Sequence, residues 1–266
     1  MPIEFDVPVR KITYDEFHAV DYEVMGYVFS IHRELGRFWS EKIYRDELAY
    51  RCKRAGFENV YTEIPVHISY EDFIKVYFID LIVNNVIYEL KTAQALTKEH
   101  EKQAINYLML TGQNHGKLIN MRPSSVKHYY VSTNITPEKR YDYKINYQQW
   151  HDLDEKSVWL KDLLENLINQ WGVFLDVVLF YDAVKHFLGG EDMVVRAIDV
   201  RRGSRIIGTQ KVHLLSSAVA FKITALTKNI MAFEKQIHRF LTHTSLRAIQ
   251  WINFNHNTIL FKTLLK

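Results

Sequence analysis

Apolar positions in the first third of the chain recur at two different periods. Over residues 14–35, Val20, Val24, Tyr27, Val28 and Ile31 fall three to four apart, the spacing of one helical face. Gly36 is placed to end that helix, and a second is predicted over 39–54, ending before Gly56. From residue 59 the period shortens, and 59–69, 73–83 and 86–91 read as strands. Asn84-Asn85 tolerates positive φ and suits a tight turn between the second and third. Ile79, Leu81 and Val83 then share one face, with Asp80 on the other. Residues 97–110 read as a helix capped by Thr97, with Gly112 and Gly116 bracketing a return to strands at 117–121 and 126–132. Helices, three strands, a helix and two strands make an α/β module with a mixed sheet. Residues 133–149, with Pro137 and repeated Asn and Tyr, read as a joint, and helices are predicted at 153–171 and 231–241.

Composition narrows the class. Hydrophobic residues make up 47% and charged residues 24% of 266, near globular averages, which excludes a disordered or fibrous chain. A single cysteine, Cys52, excludes an intrachain disulfide and a Cys-rich zinc site; its simplest role is as a small core residue. No run of about 18 apolar residues occurs, and the start lacks a basic segment followed by an apolar one. A cytoplasmic protein without a membrane partner is expected. Residues 1–140 hold 18 basic and 19 acidic side chains, and residues 141–266 hold 16 and 12. The positive excess therefore lies in the second half.

The strongest chemical signal lies on two adjacent strands. Asp80 closes the run FID, and nine residues later IYELK puts Glu89 and Lys91 on one strand face with Leu90 opposite. Two carboxylates and a cation in a small volume suit a hard divalent ion such as Mg²⁺ (or Mn²⁺) and a phosphate oxygen. Such an ion would polarise a phosphoryl group and activate a water, with Lys91 orienting that water or offsetting charge. The same residues could instead line a solvated sheet face. Gln103 and Tyr107 share one face of the following helix at i and i+4. His32 and His100 read as structural, and Tyr44 as packing.

The stretches 31–48, 78–108 and 111–121 closely resemble the GxxExxY family of the PD-(D/E)xK nuclease superfamily, over about residues 15–133. The resemblance implies a restriction-endonuclease-like mixed sheet flanked by helices. It also implies that Glu41, Asp80 and Glu89 ligate or position the metal, that Lys91 is the catalytic lysine, and that Gln103 with Tyr107 forms the Q-x-x-x-Y element of RecB-like nucleases. The chain departs from the family's helix motif at Phe38, where the family has glycine.

A weak internal repeat follows. Residues 80–121 and 213–254, at a constant offset of 133, share nine identities in 42 positions, among them Gln103/Gln236, Thr111/Thr244 and Asn120/Asn253. Residues 171–184 also resemble 36–48. At that offset His213 replaces Asp80, Lys222 replaces Glu89 and Thr224 replaces Lys91, so the copy cannot hold a metal in the same way. The expected organisation is a nuclease-like domain over 1–135 and a degenerate nuclease-like domain over 150–266, the latter a DNA-binding or dimerisation module. Arg201, Arg202, Arg205 and Lys211, near Arg196 and Gly203, could hold a phosphate backbone or form an ordinary solvated basic loop. Two function classes result: a metal-dependent nuclease hydrolysing DNA, or a nucleic-acid-binding or regulatory scaffold with a weak or inactive site. A homodimer is one assembly this allows. No Walker loop is present, so ATP-driven unwinding would need a partner.

Overall fold

A computed structural model describes residues 2–266 as two compact units. The first comprises residues 2–69 and 74–137, and the second residues 70–73 and 138–266.

In the first unit, strand β1 (Ile3–Phe5) precedes helices α1 (Tyr14–Leu35) and α2 (Glu41–Arg54). Strands β2 (Val60–Tyr70), β3 (Phe73–Val83) and β4 (Val86–Lys91) follow, then α3 (Lys98–Thr111), β5 (His115–Asn120) and β6 (Lys127–Ser132). All six strands form one sheet in the order β1-β2-β3-β4-β5-β6. The β3–β4 pair is antiparallel, β4–β5 is parallel across the α3 crossover, and β5–β6 is antiparallel, which makes the sheet mixed.

Local chemistry accounts for the element ends. Thr13 caps α1 in a reciprocal capping box with Glu16, and Gly36 ends that helix at φ 74°. The β3–β4 turn places Asn84 and Asn85 at φ 43° and 73°, the left-handed pair that a two-residue hairpin requires. His100 completes the box at the start of α3, its Nδ1 accepting from the Thr97 N–H, which is the structural role expected for it. His32 is likewise structural, 3.0 Å from the Pro123 carbonyl oxygen.

The core under α1 and α2 contains Val24, Val28, Ile31, Tyr44, Leu48 and Cys52 with Leu81, Val83, Tyr88 and Leu90 of the sheet. Cys52 is fully buried there, which pushes its thiol up to about 12. Because strand side chains alternate, Asp80, Glu89 and Lys91 are left on the opposite face, toward the α3 crossover.

In the second unit, a single 3₁₀ turn at Glu138–Tyr141 leads to β7 (Lys144–Gln149), α4 (Glu155–Trp171), α5 (Val177–Phe187) and the short α6 (Glu191–Val194). Then come β8 (Val195–Arg202), β9 (Arg205–His213), β10 (Val219–Thr224), α7 (Ile230–Thr242), β11 (Ala248–Asn255) and β12 (Thr258–Leu265). The stretch 133–149, expected as a joint, therefore carries a strand. β7 pairs in parallel with β12 at the edge of a sheet ordered β10-β11-β12-β7, while β8 and β9 form a separate antiparallel ribbon. Trp251, Leu241, Leu246 and Ala220 anchor the core beneath α7.

One strand–helix–strand stretch coincides in the two units at the 133-residue offset. The β3–β4 hairpin expected to recur does not: β10 is the edge of its sheet, β9 pairs with β8, and only an isolated Leu214↔Ala220 bridge links the strand regions. Displaced by 133, β4 (86–91) becomes 219–224, the span of β10. The parallel pairs Ile87↔Gly116 through Lys91↔Asn120 become Ala220↔Ile249 through Thr224↔Asn253. Asn120 donates from Nδ2 to the Ala93 carbonyl and accepts the Ala93 N–H, and Asn253 does the same with Leu226.

Candidate active site

The β3–β4 ladder runs from Val83↔Val86 to Leu81↔Tyr88, and Asp80 and Glu89 are the residues immediately beyond it on the two strands. Asp80 Oδ2 accepts the Leu90 N–H at 2.9 Å. Glu89 is buried, and its Oε1 lies 2.6 Å from Lys91 Nζ. Its other oxygen, Oε2, is buried without a hydrogen-bond partner. Glu41 occupies the first turn of α2, where Oε1 accepts the Thr92 N–H at 3.0 Å, just beyond the end of β4. Gln103 Nε2 donates to Tyr107 Oη at 2.9 Å on α3.

Electrostatics link these groups. Burial, aided by repulsion from Asp80, pushes Glu89 up to about 8 despite the Lys91 ammonium beside it. Burial also raises Asp80, against the opposing pull of the Leu90 N–H and Lys91. Lys91 is raised: burial opposes its charge most strongly, but the Glu89, Asp80 and Glu41 carboxylates together outweigh it. Tyr107 is raised by burial and by Glu89.

Tyr44 is fully buried, and its hydroxyl donates to the Gly36 carbonyl at 2.7 Å, tying the α1–α2 turn together. Phe38 of that turn is exposed, with the Arg37 guanidinium over its ring. Two participants were absent from the sequence-derived set. Arg45, one turn beyond Glu41, is buried between Asp46 and Glu63 and adds positive charge felt by Asp80. Asn120 fixes the backbone at Ala93, two residues after Lys91. The i+4 spacing from Glu41 was the available signal for Arg45.

The family model described as the PD-(D/E)XK nuclease superfamily matches residues 18–131. This stretch is a PD-(D/E)XK nuclease-superfamily domain. Its span runs from α1 into β6. No curated protein and no solved structure matches the chain.

Within the nuclease-superfamily domain, Glu41, Asp80 and Glu89 were expected to act as one metal-ligand set. Among the described residues, no group of three or more His, Cys, Asp or Glu side chains is disposed to hold a metal ion. Each of these acids instead has a local partner: Thr92 N–H for Glu41, Leu90 N–H for Asp80, and Lys91 for Glu89. The donor chemistry of Asp80 and Glu89 still fits a hard divalent ion, and Glu89 Oε2 offers an unpartnered oxygen.

The basic residues expected to grip nucleic acid lie on the β8–β9 ribbon. Arg202 and Arg205 pair across its turn at Gly203, Arg201 is engaged by Asp199 at 2.8 Å, and Lys211 is exposed on β9. Among the described residues, no helix is long and apolar enough to cross a membrane.

Proposed function

We propose that this chain is a nucleic-acid-binding protein of nuclease descent whose carboxylate site is catalytically weak in its resting form. The observation that carries this reading is the 2.6 Å contact between Lys91 and Glu89. The lysine that would assist attack on phosphorus is engaged by the acid that would hold the metal. Binding then rests on the basic side chains of the second unit, including Arg202, Arg205 and Lys211. That unit is read as a degenerate copy of the first, a reading supported by the shared offset and strand register.

A second reading, a Mg²⁺- or Mn²⁺-dependent DNA nuclease, is favoured by Glu89 Oε2, a buried carboxylate oxygen without a partner. Asp80 and Glu89 would hold the ion, with Glu41 positioned behind them. When bound, a divalent ion supplies Lewis acidity toward the phosphoryl oxygen and lowers the pKa of a water. Lys91, released from Glu89, would hold that water or offset charge on the phosphate, while Gln103 and Tyr107 would orient the strand.

Metal titration followed by thermal unfolding separates the readings. The first expects no stabilisation by Mg²⁺ or Mn²⁺ that depends on Asp80. The second expects about 2.7 kcal/mol at a hundredfold excess over Kd, abolished in Asp80→Ala.

A further inference from the structure

The second unit contains a cavity of about 600 Å³ between β9, β10 and α7. His213, Lys222, Gln236 and Phe240 line it, and at the 133-residue offset they stand where the first unit has Asp80, Glu89, Gln103 and Tyr107. By that sequence offset the cavity has basic side chains at positions that are acidic in the first unit, although β9 and β10 are not paired as β3 and β4 are. Arg239 and Phe233 complete the part that matters here, and no acidic side chain lines it. Lys222 and Arg239 are exposed and have no ion-pair partner among the described residues. His213 packs against Tyr181 and Phe221 at ring distances of 4.5 and 5.5 Å. Burial, with the nearby Lys185 and Lys222, holds its imidazole below the usual value.

A pair of carboxylates repels phosphate and can approach it only through a cation. A lysine at the place of Glu89 builds that cation into the chain. Arginine adds a planar fork matched to phosphoryl oxygens, and an aromatic wall accepts a base by stacking. We propose that this cavity binds a nucleoside monophosphate group without metal, its phosphate on Lys222 and Arg239 and its base against Phe233 and Phe240. The group could be a free nucleotide or the phosphorylated end of a strand. The inference deepens the nucleic-acid-binding reading and rests on it.

The test uses the full chain in EDTA. Anisotropy compares a 5′-phosphorylated single-stranded oligonucleotide with its 5′-hydroxyl form, and calorimetry follows a mononucleotide and inorganic phosphate. The phosphorylated ligand should bind, and Lys222→Glu and Arg239→Glu should each weaken it by about tenfold or more, the scale of a charge-assisted contact. Lys222→Arg should retain binding, which separates charge from folding. Binding of the mononucleotide as tightly as the oligonucleotide identifies a free-nucleotide site, and preference for the oligonucleotide identifies a strand end. If the wild type binds strands but neither the 5′-phosphate nor Lys222→Glu changes affinity, this inference fails and the broader reading stands. If the wild type binds no strand and no nucleotide, both fail.

Discussion

Glu89 concentrates the chemistry of the first unit in one side chain. Its carboxyl ionises near 4.5 in an unfolded chain and at about 8 when folded. The folded state therefore holds a proton that the unfolded state loses between these values, and stability falls as pH rises through that window, levelling above it. Glu89→Gln removes this dependence. Denaturant unfolding in EDTA from pH 5 to 9 should show the wild type losing roughly 2–4 kcal/mol relative to the variant, at about 1.36 kcal/mol per unit with part of the proton shared with Asp80. Parallel curves would mean that Glu89 ionises normally. The two-residue strand period made the placement of Asp80, Glu89 and Lys91 legible in the sequence, because alternation alone sets a strand's faces. Their partners were not legible: the Glu89–Lys91 contact depends on rotamers, and the arrival of Glu41 at Thr92 depends on how α2 packs. For Arg45 the i+4 spacing from Glu41 was the only signal, and its burial beside Glu63 depends on the same packing.

Among elements, the strand–helix–strand unit is where sequence and structure correspond most closely. Asn120 and Asn253 each clamp the backbone after the first parallel strand, at Ala93 and Leu226 respectively. Both are essentially inaccessible to solvent, so truncation leaves buried backbone groups unpaired. Asn120→Ala and Asn253→Ala should each cost about 1–3 kcal/mol by urea unfolding. A loss at one position and none at the other would argue against equivalent roles. Helix spans were readable from periodicity and caps, and the β3–β4 turn from its two asparagines. β7 was not: its sequence, KINYQQ, is largely exposed, and its strand state comes from pairing with β12, more than 100 residues later. An edge strand defined by a distant partner carries little local signal.

At the scale of the whole molecule, the first unit carries Glu41, Asp80 and Glu89 around Lys91, and at the 133-residue offset the second carries His213 and Lys222 in place of Asp80 and Glu89. The charge division seen in the sequence anticipates this: the acidic excess lies before residue 141 and the basic excess after it. Binding without turnover is the function we propose for the chain. The most direct test incubates wild type and Lys91→Ala with linear, nicked and single-stranded DNA, in Mg²⁺ and in Mn²⁺, alongside strand binding measured in EDTA. Metal-independent binding by both proteins is expected, with no cleavage that distinguishes them. Cleavage by the wild type that Lys91→Ala abolishes would contradict the binding reading and establish the nuclease reading.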